Sequence, residues 1–332
     1  GVGMVLVVLE AARRQSFAFF LLSLLSALYV MLGQYLPGVL QHPGMEFDRF
    51  IYLTAYTEEG IFGSGLAVAA SYLFMFMLLS SALHATKTGD FMIQLANAGT
   101  GTRVGGPAKG AMFASAGLGT MVGSSIANVV STGAFTIPLM KRVGFKPHVA
   151  GGIEVVVSEG SQLMPPVMGA GAFLMAELTG IPYASIALAA FLPAILYYVS
   201  TYLVIHIEAL KMGIGGLSRD EVPDAPQVLK DGGHLLVSPV VLLYLLMVEN
   251  YTAGYAGIIA IVVALIIALV RRYSRYTWRD FINVFDDGVR QSAAVTGLVA
   301  AIGIVQQAMV TTGLGGRLAD IILAASFGDP LL

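Results

Sequence analysis

Two short stretches of this chain place polar side chains and backbone-breaking residues inside otherwise apolar surroundings. The first is Gly119-Thr120-Met121-Val122-Gly123-Ser124-Ser125-Ile126-Ala127-Asn128, which has hydroxyls and an amide but no Asp, Glu, Lys or Arg. Neutral, hard oxygens of this kind can replace the hydration shell of a monovalent cation and, with little formal charge, release it again. The second is Ser158-Glu159-Gly160-Ser161-Gln162-Leu163-Met164-Pro165-Pro166. Its paired prolines remove two amide donors and free the carbonyls upstream, so a helix through this stretch must be interrupted. Unwound carbonyls facing the hydroxyls of the first stretch would complete a cation cage, and a half-helix N-terminus beside it would favour a carboxylate. The candidate binding residues are Gly123, Ser124, Ser125, Asn128, Glu159, Gly160, Ser161, Gln162, Pro165 and Pro166, with Ser125, Asn128 and Gly160 as cation ligands. A plainer reading makes the first group helix caps and the prolines a simple kink.

What must position these residues follows from composition. Of 332 residues, 57% are hydrophobic and 11% charged, against about 25% charged in a soluble domain. The bilayer is the expected solvent, and the fold class is an all-α polytopic membrane protein. Segments 17–37, 64–83, 183–205, 234–249, 254–270 and 291–312 can cross or nearly cross it, the fourth and fifth being short. Residues 106–180 are also apolar, but Pro138, Pro147, Pro165, Pro166 and many glycines cut them into shorter pieces. If 106–140 form a re-entrant hairpin, 16 of the 18 Lys and Arg face the cytoplasm and only Arg49 and Arg317 lie outside. A single crossing there would scatter the basic loops over both sides, so the hairpin is the expected topology. Its polar turn then lies near mid-membrane, opposite a broken helix over 148–180.

The organisation expected is scaffold helices to residue 60, a first repeat over 61–206, a cytoplasmic connector over 207–233, scaffold helices and a cytoplasmic arm over 234–290, and the start of a second repeat over 291–332. An internal echo supports the repeats: the span 64–83 leads to Thr88-Gly89 and the oppositely directed span 291–312 ends in Thr312-Gly313. This is the inverted-repeat relation of secondary transporters. Trp278, Tyr273 and Tyr276 beside Arg271 and Arg272 read as an interfacial anchor. His84, His148, His206 and His234 fall at expected helix ends and read as solvated, and Glu177 likewise. Glu154 reads as a buried hydrogen-bonding group, whereas Glu159, at membrane depth, must be protonated or partnered with a cation. The first residues read as a cut helix and the last as an apolar run barely begun, so the chain is expected to be part of a longer one.

Composition excludes several classes and leaves an intramembrane hydrolase and a gated channel as the alternatives to a carrier. Without cysteine there is no disulfide framework or thiolate site, and five scattered His give no metal-ligand spacing. A net charge of −2 with no basic arm excludes nucleic acid as a partner. An intramembrane hydrolase would need a nucleophile and base within reach, and Ser124 and Ser125 have no His near them in sequence. A gated channel would differ from a carrier in showing conductance rather than saturable exchange.

GPAKGAMFASAGLGTMVGSSIANVVSTGAFTIPLMKRVGF, residues 106–145, together with 150–177, closely resembles the large membrane subunit of tripartite ATP-independent periplasmic (TRAP) transporters. YLPGVLQHPG and EEGIFG, before residue 64, resemble the form in which small and large membrane components are fused. The resemblance implies a sodium-driven importer of small organic anions in a bacterial or archaeal cytoplasmic membrane, with no cofactor and sodium as the coupling ion. It also implies delivery by an extracytoplasmic solute-binding protein and an elevator motion of the hairpin-bearing domain. By motif, Ser124, Ser125 and Asn128 fall at the first hairpin tip and Gly160, Gln162, Pro165 and Pro166 on the broken helix. This chain departs from the family's usual Ser-Thr-Gly-Gly-Gln by reading Ser158-Glu159-Gly160-Ser161-Gln162, and the family's second hairpin is not within these residues.

Overall fold

The structure, a computed structural model, describes residues 1–270 and 277–317. Among them every regular element is helical, as a chain with few charges must be to satisfy its backbone in lipid. The elements are α1 (Val2–Gln15), α2 (Phe17–Leu32), α3 (Phe47–Tyr56), α4 (Ser64–Val68), α5 (Phe74–Ala85), α6 (Thr88–Thr100), α7 (Gly106–Gly119) and α8 (Ser125–Arg142). They continue with α9 (Pro147–Glu159), α10 (Ala170–Thr179), α11 (Tyr183–Lys211), α12 (Ala225–Gly232), α13 (Val237–Met247), α14 (Ala253–Val270) and α15 (Trp278–Thr312). A π-turn over Ala69–Leu73 joins α4 to α5, giving one apolar run from Ser64 to Ala85. Among the described residues five helical runs are long and apolar enough to cross a membrane, and the segment expected at 254–270 forms the shorter α14. The anchor residues Arg271, Arg272, Tyr273 and Tyr276, the side chains of Trp278 and Glu177, and the start of a second hairpin lie outside the described residues.

The contacts divide the chain into two compact units, one of Gly1–Ser71 with the chain from Arg290 onward, the other of Tyr72–Val289. In the first, α1 buries Val5, Val8, Leu9 and Ala12, the i, i+3, i+4, i+7 stripe of an amphipathic helix. These pack with Phe50, Ala55, Ala301, Ile304 and Ala308. Ser23 Oγ donates to the Ala301 carbonyl at 3.0 Å and Thr54 Oγ1 to Gln307 Oε1 at 2.5 Å. On the exposed face of α1, Glu10 accepts from Arg13 at 2.7 Å and Arg14 at 2.8 Å. Chiefly through Arg13, that pairing holds the Glu10 carboxyl down at about 2.

The second unit is built around α7. Its buried residues are mostly small, among them Gly106, Ala108, Gly110, Ala111, Ala114 and Ser115, so neighbouring backbones come close. A Cβ at Gly110 would meet Asn97 Oδ1 at 2.2 Å. The core here joins Met112 of α7, Met140 of α8, Val157 of α9 and Ile205 and Ala209 of α11, with Phe145 from the turn between α8 and α9. In the connector, Ser218 and Glu221 form a capping box on a short 3-10 turn, and the amphipathic α12 sets Gly232 against the Phe91 ring.

Two sequence expectations change. Pro138 does not cut the chain: α8 runs through it to Arg142, because one missing amide is tolerable where the rest of the helix packs on α9. Pro147, by contrast, opens a helix at its first turn. The echo also shifts register: the left-handed residue after the earlier span is Lys87 (φ 62), two before Gly89, whereas after the later one it is Gly313 itself (φ 65). Thr88-Gly89 and Thr312-Gly313 are therefore not equivalent positions.

Candidate functional site

α7 and α8 are joined by the turn 120–124, between Gly119 and Ser125. Ser124 caps α8, its Oγ accepting from the Ala127 amide at 3.3 Å. Ser125 opens the helix with its hydroxyl uncommitted to capping. Asn128 is fully buried, and its amide nitrogen donates to the Ser115 carbonyl at 3.1 Å, bracing the two arms of the hairpin. The capping reading thus holds for Ser124 and not for the other two.

Opposite, α9 stops at Glu159, a 3-10 turn covers Gly160–Gln162, and no helix resumes until Ala170. Pro165 and Pro166 cannot donate to the carbonyls of Ser161 and Gln162. Those carbonyls are not left open, as the sequence reading expected, because backbone amides reach them from the folded-back segment. Ser161 O accepts from Met164 N at 3.3 Å and Gln162 O from Gly169 N at 2.9 Å, while Gly160 O accepts from Leu163 N at 3.1 Å. Each keeps one lone pair. Tyrosines of α11 take up further carbonyls around the break. Tyr197 donates to Val156 O at 2.6 Å, Tyr198 to Val157 O at 3.2 Å, and Tyr183 shares its proton between Pro166 O and Val167 O. A Cβ at Gly160 would lie 2.7 Å from the rings of Tyr197 and Tyr198, so any larger residue there has to displace these tyrosines. Sequence reasoning missed these tyrosines; their only signal is that the long apolar α11 carries four hydroxyl-bearing rings, Tyr202 being the fourth.

The turn and the interruption meet directly. Gln162 Nε2 donates both to Ser125 Oγ at 2.9 Å and to Glu159 Oε1 at 2.8 Å, so one amide clasps the hairpin to the broken helix. Glu159 is exposed, and its oxygen accepts from this neutral amide. A Cβ at Gly119 would sit 2.8 Å from Ser161 Cα, and one at Gly123 would sit 1.8 Å from Met168 O. Among the described residues Asn128 Oδ1 and Ser161 Oγ are buried with no hydrogen-bond partner; Asn128 is tied through its nitrogen to Ser115, and Ser161 lies against Gly119, one turn further along α7. Of the sequence candidates, Ser125, Glu159 and Gln162 are linked by hydrogen bonds, and Gly123 and Ser161 line the contact. Gly160 faces tyrosine rings, and Pro165 and Pro166 are buried within the turn. Among the described residues no group of three or more His, Asp or Glu is placed to hold a metal ion, so the donors here are mainly neutral oxygens.

Behind the site, Glu154 is fully buried between α8 and α9. It accepts from Thr132, from Thr136 at 2.5 Å and from Ser158 at 3.3 Å. Two histidines read as solvated are not. His84 bonds Ser131 of α8, and His206 bonds Lys109 of α7 at 3.1 Å; helix ends in this unit are packed against neighbours, and only tertiary contacts reveal it. His148 is exposed as expected. Ser131 and His84 resemble a nucleophile and base, but the Ala127 carbonyl, 2.5 Å from Ser131 Oγ, competes for the hydroxyl proton.

Apolar helices of bilayer length, with a hairpin turn closed on an interrupted helix, define a multi-pass helical membrane protein. Over residues 3–332 the chain matches the model described as "Tripartite ATP-independent periplasmic transporter, DctM component", and it belongs to that family. It is thus a permease component of a TRAP transporter and not an enzyme, and the family associates with other TRAP components and a solute-binding protein. No curated protein sequence matches the chain.

Proposed function

We propose that the chain is the permease subunit of a sodium-driven secondary importer of small organic anions, chiefly carboxylates, handed over by an extracytoplasmic binding protein at a bacterial or archaeal cytoplasmic membrane. The observation that carries this reading is the closed junction of hairpin turn and broken helix, bordered by two buried oxygens without donors, Asn128 Oδ1 and Ser161 Oγ. A buried acceptor without a partner is costly, and a monovalent cation supplies what both lack. Ser125 Oγ and the spare lone pairs of the 160–162 carbonyls complete a neutral oxygen set, which suits sodium and its reversible release. The N-terminus of α8, with its unpaired amides and dipole, favours the substrate carboxylate beside the cation. In this reading 106–140 re-enter the membrane, so cation and anion meet near its midplane, and the hairpin-bearing part carries them across as an elevator.

Uptake by the complete reconstituted transporter, with and without binding protein and under sodium and proton gradients applied separately, tests this. Asn128→Ala and Ser125→Ala should each weaken sodium activation at preserved expression. Unchanged sodium activation in both variants, or uptake driven by protons alone, would overturn the reading.

A further inference from the structure

Away from the hairpin turn, α7 and α11 enclose a groove of about 430 Å3. Its walls include Met112, Phe113 and Ala116 of α7 and Ile195, Val199 and Leu203 of α11. All six are apolar, and α11 is among the helices long and apolar enough to cross a membrane. Phe113, Ile195, Val199 and Leu203 are all 40–51% exposed, so the groove opens outward from this unit's helices. From Ile195 to Leu203 it runs about 12 Å at ~1.5 Å per residue, close to the roughly 15 Å of hydrocarbon in one leaflet.

At one end the chemistry changes. Tyr202, also in the wall, carries Lys109 Nζ 4.6 Å above its ring, and His206 stacks on the same ring with centroids 6.4 Å apart. Lys109 is only 2% exposed, and no ion pair joins it to a carboxylate among the described residues. An ammonium only donates, so its 3.1 Å contact with His206 Nδ1 makes that nitrogen the acceptor. The ring proton then sits on Nε2, which has no partner among the described residues. A cation buried without a counter-charge is costly. This end of the groove therefore combines an uncompensated positive charge with an unused donor.

We infer that the groove holds one acyl chain of an anionic phospholipid, with the lipid phosphate accepting from His206 Nε2 beside the Lys109 charge. Charge complementarity selects this occupant over a zwitterionic lipid, which offers the same chain but brings its own ammonium. The placement along the helices agrees: Lys109 lies in the first turn of α7 and His206 near the C-terminal end of α11, where a headgroup belongs. The chain runs away from them toward Met164, next to Pro165, and Tyr198, which braces the end of α9. The lipid is thus packed behind the interrupted helix.

The test uses the purified, delipidated full chain and phosphatidylglycerol or phosphatidylcholine of identical acyl composition, with binding read by native mass spectrometry and melting temperature. Phosphatidylglycerol should bind about tenfold tighter, the size of one charge-assisted hydrogen bond. Lys109→Gln and, as a variant that keeps the ring stack, His206→Phe should each abolish that preference. Ala116→Leu, which fills the groove, should weaken both lipids and leave the preference intact. Equal binding of the two lipids, a preference that survives both headgroup variants, or binding untouched by Ala116→Leu would overturn the proposal. Competition by glycerol phosphate as effective as by phosphatidylglycerol would overturn it too, since the acyl chain would then contribute nothing.

Discussion

A methyl group at Gly123 would stand 1.8 Å from the Met168 carbonyl oxygen and 2.9 Å from its carbon, so Gly123→Ala forces the hairpin turn away from the broken helix. Moving from 1.8 Å to the 3.0 Å that a Cβ needs takes at least 1.2 Å, and the obstacle is backbone, which cannot swing aside. The same retreat lengthens the Gln162–Ser125 bond from 2.9 Å to about 4 Å, beyond hydrogen-bonding reach. Overpacking of this kind costs ~1–3 kcal/mol. On the proposed sodium-coupled function, and with that cost falling on the closed junction, the expected drop in sodium affinity is roughly five- to hundred-fold. Gly119→Ala is the milder case, since its methyl group meets Ser161 Cα at 2.8 Å, and Gly151→Ala is the control, with nothing within 4 Å. As an exposed-space helical substitution, Gly151→Ala should even stabilise slightly. The assay is the half-saturating sodium concentration for uptake by the reconstituted transporter, with melting temperature alongside. The expected order of damage is Gly123, then Gly119, then Gly151; a Gly123→Ala protein indistinguishable from Gly151→Ala would refute the contact.

Three further outcomes follow from the packing. Glu154→Gln should cost about 1 kcal/mol, because Thr132 and Thr136 can fall back on the carbonyls of Asn128 and Thr132 at 2.8 and 2.9 Å. Glu154→Ala, which adds a cavity, should cost ~2–4 kcal/mol, and equal melting temperatures for the two would sink this account. Glu10, held at about 2 against an ordinary 4.5, contributes its stabilisation in full above pH 4.5 and loses it as pH falls through about 2. Carboxyl NMR should show that titration move back up in an Arg13→Gln, Arg14→Gln variant and, the pair being exposed, weaken in salt. Finally, Lys146→Cys, introduced where these 332 residues hold no other cysteine, should react only from the cytoplasmic side; periplasmic labelling would contradict the re-entrant hairpin.

What the sequence made legible is what lipid and proline enforce locally. Long apolar runs stand out because a crossing segment must hide its backbone over a fixed length. The Pro165-Pro166 pair marks an interruption because the missing amides are written in the residue types themselves. Polar residues from Thr120 to Asn128 stand out against an apolar background. The remainder depends on contacts between distant residues. Nothing near Lys109 announces His206, 97 positions away, and nothing near Val157 announces Tyr198, 41 positions away. Carbonyls counted as open from the proline positions were closed by amides of a segment folded back on itself. Pro138 looked equivalent to Pro147 by residue type, yet one sits inside a packed helix and the other starts one.

The first unit's core has a consequence for biosynthesis. Ser23 finds its acceptor on Ala301, 278 residues later, and Thr54 its partner on Gln307, 253 later. At about 5–20 residues per second, Ser23 is made roughly 14–55 s before Ala301 emerges. During that interval Ala27 and Val30 of α2 lose little, since lipid is as apolar as the alanines that will cover them. The hydroxyls of Ser23 and Thr54 have no such substitute. The nascent helices must therefore wait with those groups turned inward on themselves, toward retained water, or against whatever machinery holds them at the membrane, until α15 is synthesised and completes the unit.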